Sequence, residues 1–302
     1  MTIKKVGFIG LGAMGTPMTK FLLKAGYDVK GYDVEKKRVS ALAKLGLKPA
    51  KSAREAAKGR ELVMMSLPNW DIVEAVVEGK DGISGVLRKG QIVMDCTTVP
   101  PSATRAMAQR MEKKGVHWMD VPVSGAANQA KLGNMVFMVG GKKTIFNRIK
   151  PVLDQVGKKT VYAGKSGDAA MLKLVVNHTL FLNQAAAVEG LTLGLKAGLD
   201  AEVVWDTLIS GAAGSDVIKA RGQDMLAGDF KPKGALWISI KDLTLALDSA
   251  KELGVMLPMG GLYKQFMLGA HHRGWDNKDA TVVMRLYEEL AGGVKRKSKK
   301  SC

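Results

Sequence analysis

The chain has 302 residues, of which 46% are hydrophobic, and a formal net charge of +18 from 46 basic and 28 acidic side chains. This length allows two domains with proper cores, and no apolar run reaches the roughly 18 residues that span a bilayer. The chain has no signal-peptide hydrophobic region and only two cysteines, so we expect a cytoplasmic protein without membrane segments or disulfides. The positive charge is compatible with nucleic acid and equally with a small anionic substrate.

The first predicted elements are a strand, a glycine turn and a helix. A short apolar run at residues 6–9 precedes the motif G-x-G-x-x-G, and residues 14–25 repeat apolar side chains with helical spacing. In this order the motif is typical of dinucleotide binding, because its glycines permit a sharp turn, close approach of a pyrophosphate and tight helix–sheet packing. We therefore predict that the cofactor is bound by Gly10, Leu11, Gly12, Ala13, Met14 and Gly15, named here the glycine turn.

A second predicted strand, residues 28–32, ends beside Asp33. This is about where the dinucleotide-binding fingerprint has its acidic residue. A carboxylate there accepts hydrogen bonds from the adenosine ribose and repels the 2′-phosphate of NADP. Two observations leave alternatives open: Asp33 could merely cap the helix that begins near Glu35, and the cations at residues 36–38 could accept a phosphate. We predict NAD as the cofactor, with NADP as the alternative.

Strands and helices continue to alternate through the first half. Further strands are predicted at 61–67, 91–96, 117–121, 134–139 and 160–163, and helices at 71–77 and 101–114. Repeated strand–helix units predict a parallel, doubly wound sheet with its ligand crevice at the carboxyl ends of the strands. Leu67 and Pro68 lie at such a strand end, so we expect them to line the adenosine and ribose site.

The pattern becomes helical near Gly164. Apolar residues then repeat with helical spacing over 167–196, which corresponds to about 45 Å of unbroken helix. Later helices are predicted at 201–209, 216–226, 235–253, 258–271 and 280–291, with no further strand. The sequence thus predicts an N-terminal Rossmann-type doubly wound α/β domain joined by a long helix to an all-α C-terminal domain. The predicted bounds are 1–164, 165–196 and 197–294, followed by a basic tail at 295–302 that we expect to be solvated or, alternatively, to contact nucleic acid.

Four motifs in order carry a family resemblance over nearly the whole chain. They are the strand and glycine turn, Asp120-Val-Pro-Val-Ser-Gly125, Lys173-Leu-Val-Val-Asn177 and Lys241-Asp-Leu-Thr-Leu-Ala246. Together they resemble the β-hydroxyacid dehydrogenases, which include 3-hydroxyisobutyrate dehydrogenase and several semialdehyde reductases. The resemblance implies reversible hydride transfer between NAD(P) and a small 3-hydroxy acid or semialdehyde, without a metal. It also implies a homodimer or homotetramer assembled through the helical domain.

Lys173 and Asn177 are the candidate catalytic pair. Four residues apart on the long helix, they share one face. Oxidation of an alcohol by hydride loss needs a group that takes the hydroxyl proton, and a lysine serves when burial and nearby cations favour its neutral form. The resemblance assigns proton transfer to Lys173 and orientation of the reacting oxygen to Asn177. The alternative is a solvated lysine on a connecting helix.

The resemblance also assigns binding residues. Ser124 and Gly125 would hold the substrate carboxylate, Thr98 would contact the cofactor, and Lys241 would lie at its nicotinamide end. Turn formation alone remains the alternative for Ser124, and helix capping for Thr98. Trp237, one turn before Lys241, either walls the substrate pocket or packs within the helical domain.

Two positions depart from the family pattern and bear on the substrate. Ala126 stands where many relatives have glycine, and His178 stands where asparagine is frequent, which leaves the identity of the substrate open. The other histidines show no ligand spacing with cysteines or carboxylates, so no metal site is predicted.

Three functions are compatible with these motifs. The first is an NAD(P)-dependent 3-hydroxyacid dehydrogenase acting on CH–OH. The second is a dehydrogenase-like scaffold whose basic surface docks onto nucleic acid, and the third is an imine reductase on the same fold. Lys173 favours the dehydrogenase, because a scaffold needs no proton-transfer group and imine reductases of this type usually lack the lysine.

Overall fold

The computed structural model describes residues 3–294, so the basic tail at 295–302 lies outside the described residues. The chain forms two compact units, one ending at Leu174 and the other beginning at Val175. This boundary falls inside a helix. The division into 1–164, 165–196 and 197–294 stays a prediction.

The first unit is a nine-stranded sheet with helices. Its strands are β1 (Lys5–Ile9), β2 (Asp28–Tyr32), β3 (Lys48–Pro49), β4 (Leu62–Met65), β5 (Ile92–Asp95), β6 (His117–Asp120), β7 (Val123–Ser124), β8 (Val136–Gly140) and β9 (Lys159–Gly164). Its helices are α1 (Gly15–Lys24), α2 (Lys36–Ala43), α3 (Ala53–Ala57), α4 (Trp70–Glu78), α5 (Pro101–Lys113), α6 (Ala127–Lys131) and α7 (Lys143–Leu153), with a 3₁₀ turn at Ile83–Gly85.

The strand order is β3-β2-β1-β4-β5-β6-β8-β7, with β9 paired to β8. The first six strands pair in parallel in the order typical of doubly wound dinucleotide-binding folds, which confirms the predicted fold class. The prediction of a wholly parallel sheet is wrong at β8, which runs antiparallel to β6 and β7. Between β6 and β8 the chain forms the two-residue β7, which itself pairs antiparallel with β8, and the short α6, and it lacks the long crossover helix that usually joins parallel strands.

The central strands are buried on both faces, and their side chains divide between two cores. Along β4, Leu62 and Met64 join one core, whereas Val63 and Met65 join the other. Successive side chains of a strand point to opposite faces, so a continuous apolar run is what a sheet covered by helices on both sides requires.

The second unit is built from helices. The long helix α8 (Asp168–Lys196) crosses the boundary, and after it come α9 (Ala201–Ser210), α10 (Asp216–Ala227), α11 (Leu236–Glu252), α12 (Pro258–His271), a 3₁₀ turn at Ala280–Val282 and α13 (Val283–Leu290). The helical half was predicted correctly, except that the helix expected at 280–291 begins as the 3₁₀ turn. No helix among residues 3–294 is long and apolar enough to cross a membrane.

Candidate functional site

The three glycines of the glycine turn have different surroundings. Gly10 has a φ of +88°, and a Cβ atom there would overlap the carbonyl oxygen of Ser66. A Cβ atom at Gly15 would overlap the carbonyl oxygen of Gly10, so both glycines are required by packing within the protein itself. At Gly12 the nearest atom to such a Cβ would be Nη1 of Arg38, 4.0 Å away. Gly12 therefore borders open space, as the approach of a pyrophosphate requires.

A cavity of about 680 Å³ runs along the glycine turn. Residues 11–13 line it together with Thr16 and Pro17 at the start of α1. Its remaining wall is basic and includes Lys20, Lys24, Arg38 and Lys131. The positive end of a helix dipole and cations around one cavity suit the phosphates of a dinucleotide.

Asp33 is buried, and protein groups already engage its carboxylate. Oδ2 accepts a hydrogen bond of 2.6 Å from the N–H of Leu11, and Oδ1 accepts one of 2.7 Å from the N–H of Glu35. Arg38 Nη1 lies 3.2 Å from Oδ1 and 3.4 Å from Oδ2. Asp33 thus connects the glycine turn to the start of α2, and its charge is paired with a guanidinium that the sequence analysis noted only as one of three cations.

The ends of β4 and β5 are fastened to each other. The N–H of Leu67 donates to Oγ1 of Thr97, and the N–H of Thr97 donates to Oδ1 of the buried Asp95. Leu67 and Thr98 are half-buried, and Pro68 is exposed. Leu67, Pro68 and Thr98 were predicted from the sequence, whereas Thr97, which accepts the hydrogen bond from Leu67, was not.

Ser124 and Gly125 lie at the short strand β7. Ser124 is half-buried and pairs with Val136 of β8, and Gly125 is exposed with a φ of +137°. This φ explains the glycine at position 125, because other residues rarely adopt it.

Asp120, at the end of β6, holds the first turn of α8. Its carboxylate accepts hydrogen bonds of 3.0 Å from the N–H groups of Gly167 and Ala170, and a Cβ atom on Gly140 would collide with it. Burial raises the pKa of Asp120, and these hydrogen bonds oppose the rise only in part. Asp120 was noted in the sequence only as the first residue of a motif, and its role as a helix cap depends on a partner 47 residues away.

Lys173 and Asn177 are both buried on α8, with 9% and 6% of their surfaces exposed. Their spacing of one turn gives them the same side of the helix. Lysine is among the residues least often buried to this extent, so the burial of Lys173 marks it as a functional candidate rather than a solvated helix residue.

Asp242 orients the amide of Asn177. Nδ2 of Asn177 donates a hydrogen bond of 2.8 Å to Oδ2 of Asp242, and Nζ of Lys241 lies 2.7 Å from Oδ1. An ionised carboxylate only accepts hydrogen bonds, so the amide nitrogen of Asn177 must face it. Two of the predicted residues are thereby connected through Asp242, whose part the sequence analysis did not identify.

Trp237 precedes Lys241 by one turn of α11. Its side chain is 39% exposed, and that of Lys241 is 20% exposed. Asn177, Trp237 and Lys241 belong to the second unit, whereas the other predicted site residues belong to the first. Among residues 3–294 there is no cluster of histidine, cysteine or acidic side chains that could hold a metal.

Family models match both units. Residues 5–164 match a model described as the NAD binding domain of 6-phosphogluconate dehydrogenase, and residues 167–287 match one described as NAD-binding of NADP-dependent 3-hydroxyisobutyrate dehydrogenase.

Two characterised proteins show the extent of the similarity. A 2-(hydroxymethyl)glutarate dehydrogenase of Eubacterium barkeri is 35% identical over 289 residues, covering 95% of this chain and 96% of the relative. A 3-hydroxyisobutyrate dehydrogenase of Pseudomonas aeruginosa is 32% identical over 298 residues, covering 93% and 98%.

Solved structures agree with these matches. The crystal structure of a 3-hydroxyisobutyrate dehydrogenase from Salmonella typhimurium superposes with a TM-score of 0.86 at 29% identity, covering 93% of this chain and 99% of the other. An imine reductase from Myxococcus stipitatus superposes with a TM-score of 0.65 at 18% identity, covering 95% of this chain and all of the other. The imine reductase therefore shares the fold and is the more distant of the two.

Proposed function

Because this chain belongs to the β-hydroxyacid dehydrogenases, we propose that it oxidises a small 3-hydroxy acid, or reduces the matching semialdehyde, with Lys173 as general base and acid. The family consists of NAD(P)-dependent oxidoreductases that act on a CH–OH group. The observation that carries the proposal is a buried lysine followed one turn later by a buried asparagine, both at the family's motif positions on α8.

Lys173 is proposed to move the proton. A bound nicotinamide ring supplies the chemistry of hydride transfer to or from the alcohol carbon. In oxidation the neutral amine of Lys173 takes the hydroxyl proton, and in reduction its ammonium group returns a proton to the forming alkoxide. The burial of Lys173 supports this role, because a lysine is seldom buried to this extent, so its position on α8 is unlike that of a solvated surface residue.

Asn177 is proposed to orient the reacting oxygen. Its amide nitrogen carries two N–H donors, and one of them is bound by Asp242. The second N–H is then the donor for the substrate oxygen on which negative charge develops. A donor fixed in advance stabilises that charge without reorganisation during the reaction.

The acid end of the substrate is assigned to the segment after β7. Ser124 supplies a hydroxyl, and Gly125, whose φ is +137°, adds its own backbone N–H. Trp237 is proposed to form an apolar wall of the pocket. The names of the characterised relatives, which are those of hydroxy-acid dehydrogenases, support an acidic substrate, as does the net charge of +18.

The cofactor is assigned to the glycine turn, Asp33 and the strand ends. The open space at Gly12 and the hydrogen bond from Leu11 to Asp33 support phosphate and ribose binding there. Leu67, Pro68 and Thr98 are proposed to flank the adenosine half, and Lys241 the nicotinamide end.

We also propose a cytoplasmic homodimer or homotetramer. Large apolar side chains are exposed around the start of α12, including Met256, Met259 and Leu262, and they support assembly through the helical unit. The buried, unpaired Cys96 is compatible with a reducing compartment.

A substrate panel tests the proposed function. The protein is incubated with 3-hydroxyisobutyrate, 2-(hydroxymethyl)glutarate, L-serine and small semialdehydes, each with NAD(H) and NADP(H), and the absorbance of the reduced nicotinamide is followed. We expect the wild type to turn over at least one 3-hydroxy acid or semialdehyde, and we expect no turnover of that compound by Lys173→Ala. Turnover of cyclic imines alone would support the imine reductase, and nucleic-acid binding without turnover would support the scaffold; either outcome contradicts the proposal.

A further inference from the structure

The loop between α12 and the following 3₁₀ turn carries a buried aspartate, Asp279, of which 3% is exposed. Its Oδ2 accepts hydrogen bonds of 3.0 Å from the N–H groups of Lys233 and Gly234, which precede α11. Its Oδ1 accepts bonds of 2.8 Å from Oγ1 and of 3.1 Å from the N–H of Thr281. Nη1 of Arg221, on α10, also donates to Oδ2. One carboxylate therefore joins α10, the 3₁₀ turn and the segment before α11.

The contacts of Asp279 require its negative charge. Burial raises the pKa of this carboxyl group, but the guanidinium of Arg221 and the hydrogen bonds from Thr281 hold it below its ordinary value of 3.8. Asp279 is thus ionised at neutral pH. An ionised carboxylate only accepts hydrogen bonds, and every partner named above is a donor. An asparagine of the same shape would point an N–H group at some of these donors, so it would lose part of the contacts.

The backbone next to Asp279 completes the start of α11. The first N–H groups of a helix need acceptors from outside it, and the side chain at the N-cap of α11 supplies none. The N–H of Leu236 instead donates to the carbonyl oxygen of Lys278 at 2.9 Å, and the N–H of Trp237 donates to that of Asp276 at 3.4 Å. An isolated antiparallel bridge joins the same two segments at Asp279. The loop that Asp279 anchors therefore caps α11.

Trp237 depends on this cap more than the other candidate site residues of α11. It lies in the first turn, where its N–H donates to the capping loop. Lys241 and Asp242 lie one turn further, where N–H groups bond within a helix. Asp242 is also bound by Nδ2 of Asn177 at 2.8 Å. A shift of the capping loop would therefore displace Trp237 first.

We propose that Asp279 is a positioning residue of the substrate pocket and that it acts through Trp237. By holding both the segment before α11 and the loop that caps this helix, Asp279 fixes the place of the indole ring. The indole is 39% exposed, so packing constrains it only in part, and the cap supplies the remaining constraint. This inference rests on the proposed function for the role of Trp237 as a wall of the pocket.

Acrylamide quenching of Trp237 fluorescence tests the positioning without any substrate. The signal of Trp237 is the difference between each protein and the same protein carrying Trp237→Phe. We expect Asp279→Asn to raise the quenching constant of Trp237 at least about 1.5-fold over the wild type, because the loosened first turn exposes the indole. A quenching constant equal to that of the wild type would overturn the inference.

Two further variants serve as controls for the quenching. Thr281→Val removes a hydrogen bond to Oδ1 of Asp279 and leaves those to Oδ2 from the segment before α11. Asp248→Asn neutralises an exposed aspartate of α11. Neither variant should change the quenching of Trp237. A rise in Thr281→Val equal to that in Asp279→Asn would trace the effect to lost stability and would also overturn the inference.

Amide hydrogen exchange of the wild type is a second measurement, and it does not depend on the folding of any variant. If Asp279 holds the segment before α11, the N–H groups of Lys233, Gly234 and Leu236 open only together with the cap. We expect them to exchange at least about 100-fold more slowly than in an unfolded chain. Exchange at the rate of an unstructured loop would contradict the inference.

Steady-state kinetics separate positioning from a loss of folded protein. We expect Asp279→Asn to raise the KM of the best substrate at least about fivefold and to change kcat less than about threefold, since Trp237 contributes to binding and not to proton transfer. A smaller folded fraction would lower kcat and leave KM unchanged, which would contradict the inference.

A double-mutant cycle tests whether Asp279 acts through Trp237. In a Trp237→Ala background, Asp279→Asn should raise KM less than about twofold, because the group through which it acts is gone. Independent effects of the two substitutions on KM would contradict the inference. A protein that turns over no compound of the panel refutes the proposed function, whereas the quenching and exchange results decide whether Asp279 positions Trp237.

Discussion

At the scale of single residues, Gly12 differs from its two neighbours in the motif. Gly10 and Gly15 have backbone oxygens where a Cβ atom would be, whereas Gly12 borders open space. The sequence pattern assigned the three glycines their separate tasks, and the structure agrees with that assignment for Gly10 and Gly15. The open space beside Gly12 would be filled by the bound cofactor, so the role assigned to Gly12 is tested by measuring cofactor binding.

Gly12→Ala should therefore affect binding and leave folding intact. The added methyl group meets no protein atom closer than 4.0 Å but enters the space assigned to the pyrophosphate. We expect the Kd for NADH to rise at least about tenfold with the thermal midpoint unchanged. Gly190→Ala, at a helical glycine that also borders open space, is the matched control and should keep wild-type affinity. A Gly12→Ala variant that binds NADH as the wild type does would exclude the glycine turn as the phosphate site.

Residue partners were harder to predict than residue types. The sequence predicted Asp33 as a cofactor residue, but its ion pair with Arg38 depends on the turn of chain that begins α2. Thr97 and Asp242 were missed for a related reason, since each acts on a residue at least 30 positions away in the sequence. A motif identifies residues that contact a ligand, whereas the groups that hold those residues appear only once the chain is folded.

At the scale of elements, the fastening of α8 to the sheet by Asp120 has measurable consequences. Its carboxylate accepts from the N–H groups of Gly167, just before α8, and Ala170, about one turn before Lys173. Asp120→Ala leaves both buried donors without their acceptor, and we expect a loss of about 2–4 kcal/mol in the free energy of unfolding by urea. Asp154→Ala, which removes an exposed carboxylate paired with Lys150, should change it by less than about 0.5 kcal/mol. Similar losses in both variants would exclude Asp120 as the fastening residue.

The same carboxylate predicts a pH effect on stability. Burial raises the pKa of Asp120 above its ordinary value of 3.8, so the folded protein binds the proton more tightly than the unfolded chain. The contribution of this group to stability is thus full below pH 3.8 and is lost as the pH rises through the folded pKa. The free energy of unfolding is measured by urea titration as the pH is raised from 3.8, for the wild type and for Asp120→Asn, which cannot ionise. We expect the wild type to lose stability relative to Asp120→Asn as the pH rises. Two parallel pH profiles would contradict this prediction.

The elements that the sequence did not predict are short or irregular. Strands β3 and β7 have two residues each, α6 has five, and α7 carries Pro151 inside it. Such segments offer too few repeats for a period to be recognised. The antiparallel direction of β8 was not predicted, because the direction of a strand depends on the chain that connects it to the preceding strands and on the strands with which it pairs.

At the scale of the whole molecule, the change from alternating to helical periodicity predicted the two kinds of architecture. The fold class was predicted from the repeat of apolar side chains, which has a period of 2.0 residues in strands and 3.6 residues in helices. These periods persist over long runs in each half of the chain. The boundary between the compact units, at Leu174 and Val175, could not be read in this way, because the helical period continues unbroken through it.

The net charge of +18 also gains a more specific meaning. From the composition alone, the positive charge was compatible with nucleic acid and with a small anion as the binding partner. In the folded first unit the cavity along the glycine turn is lined by four cations, Lys20, Lys24, Arg38 and Lys131, which favours a phosphate-bearing cofactor as the ligand of that part of the charge.

The central claim is that Lys173 transfers a proton in hydride transfer, and the turnover of Lys173→Arg tests it most directly. Arginine keeps the positive charge but cannot readily lose a proton, whereas Lys173→Ala removes both. The measurement is steady-state kcat on the best substrate of the panel, with NADH binding by fluorescence as the control for folding. We predict that both variants lose at least about a hundredfold in kcat and retain NADH binding. An arginine variant within a few-fold of wild-type kcat would contradict the account.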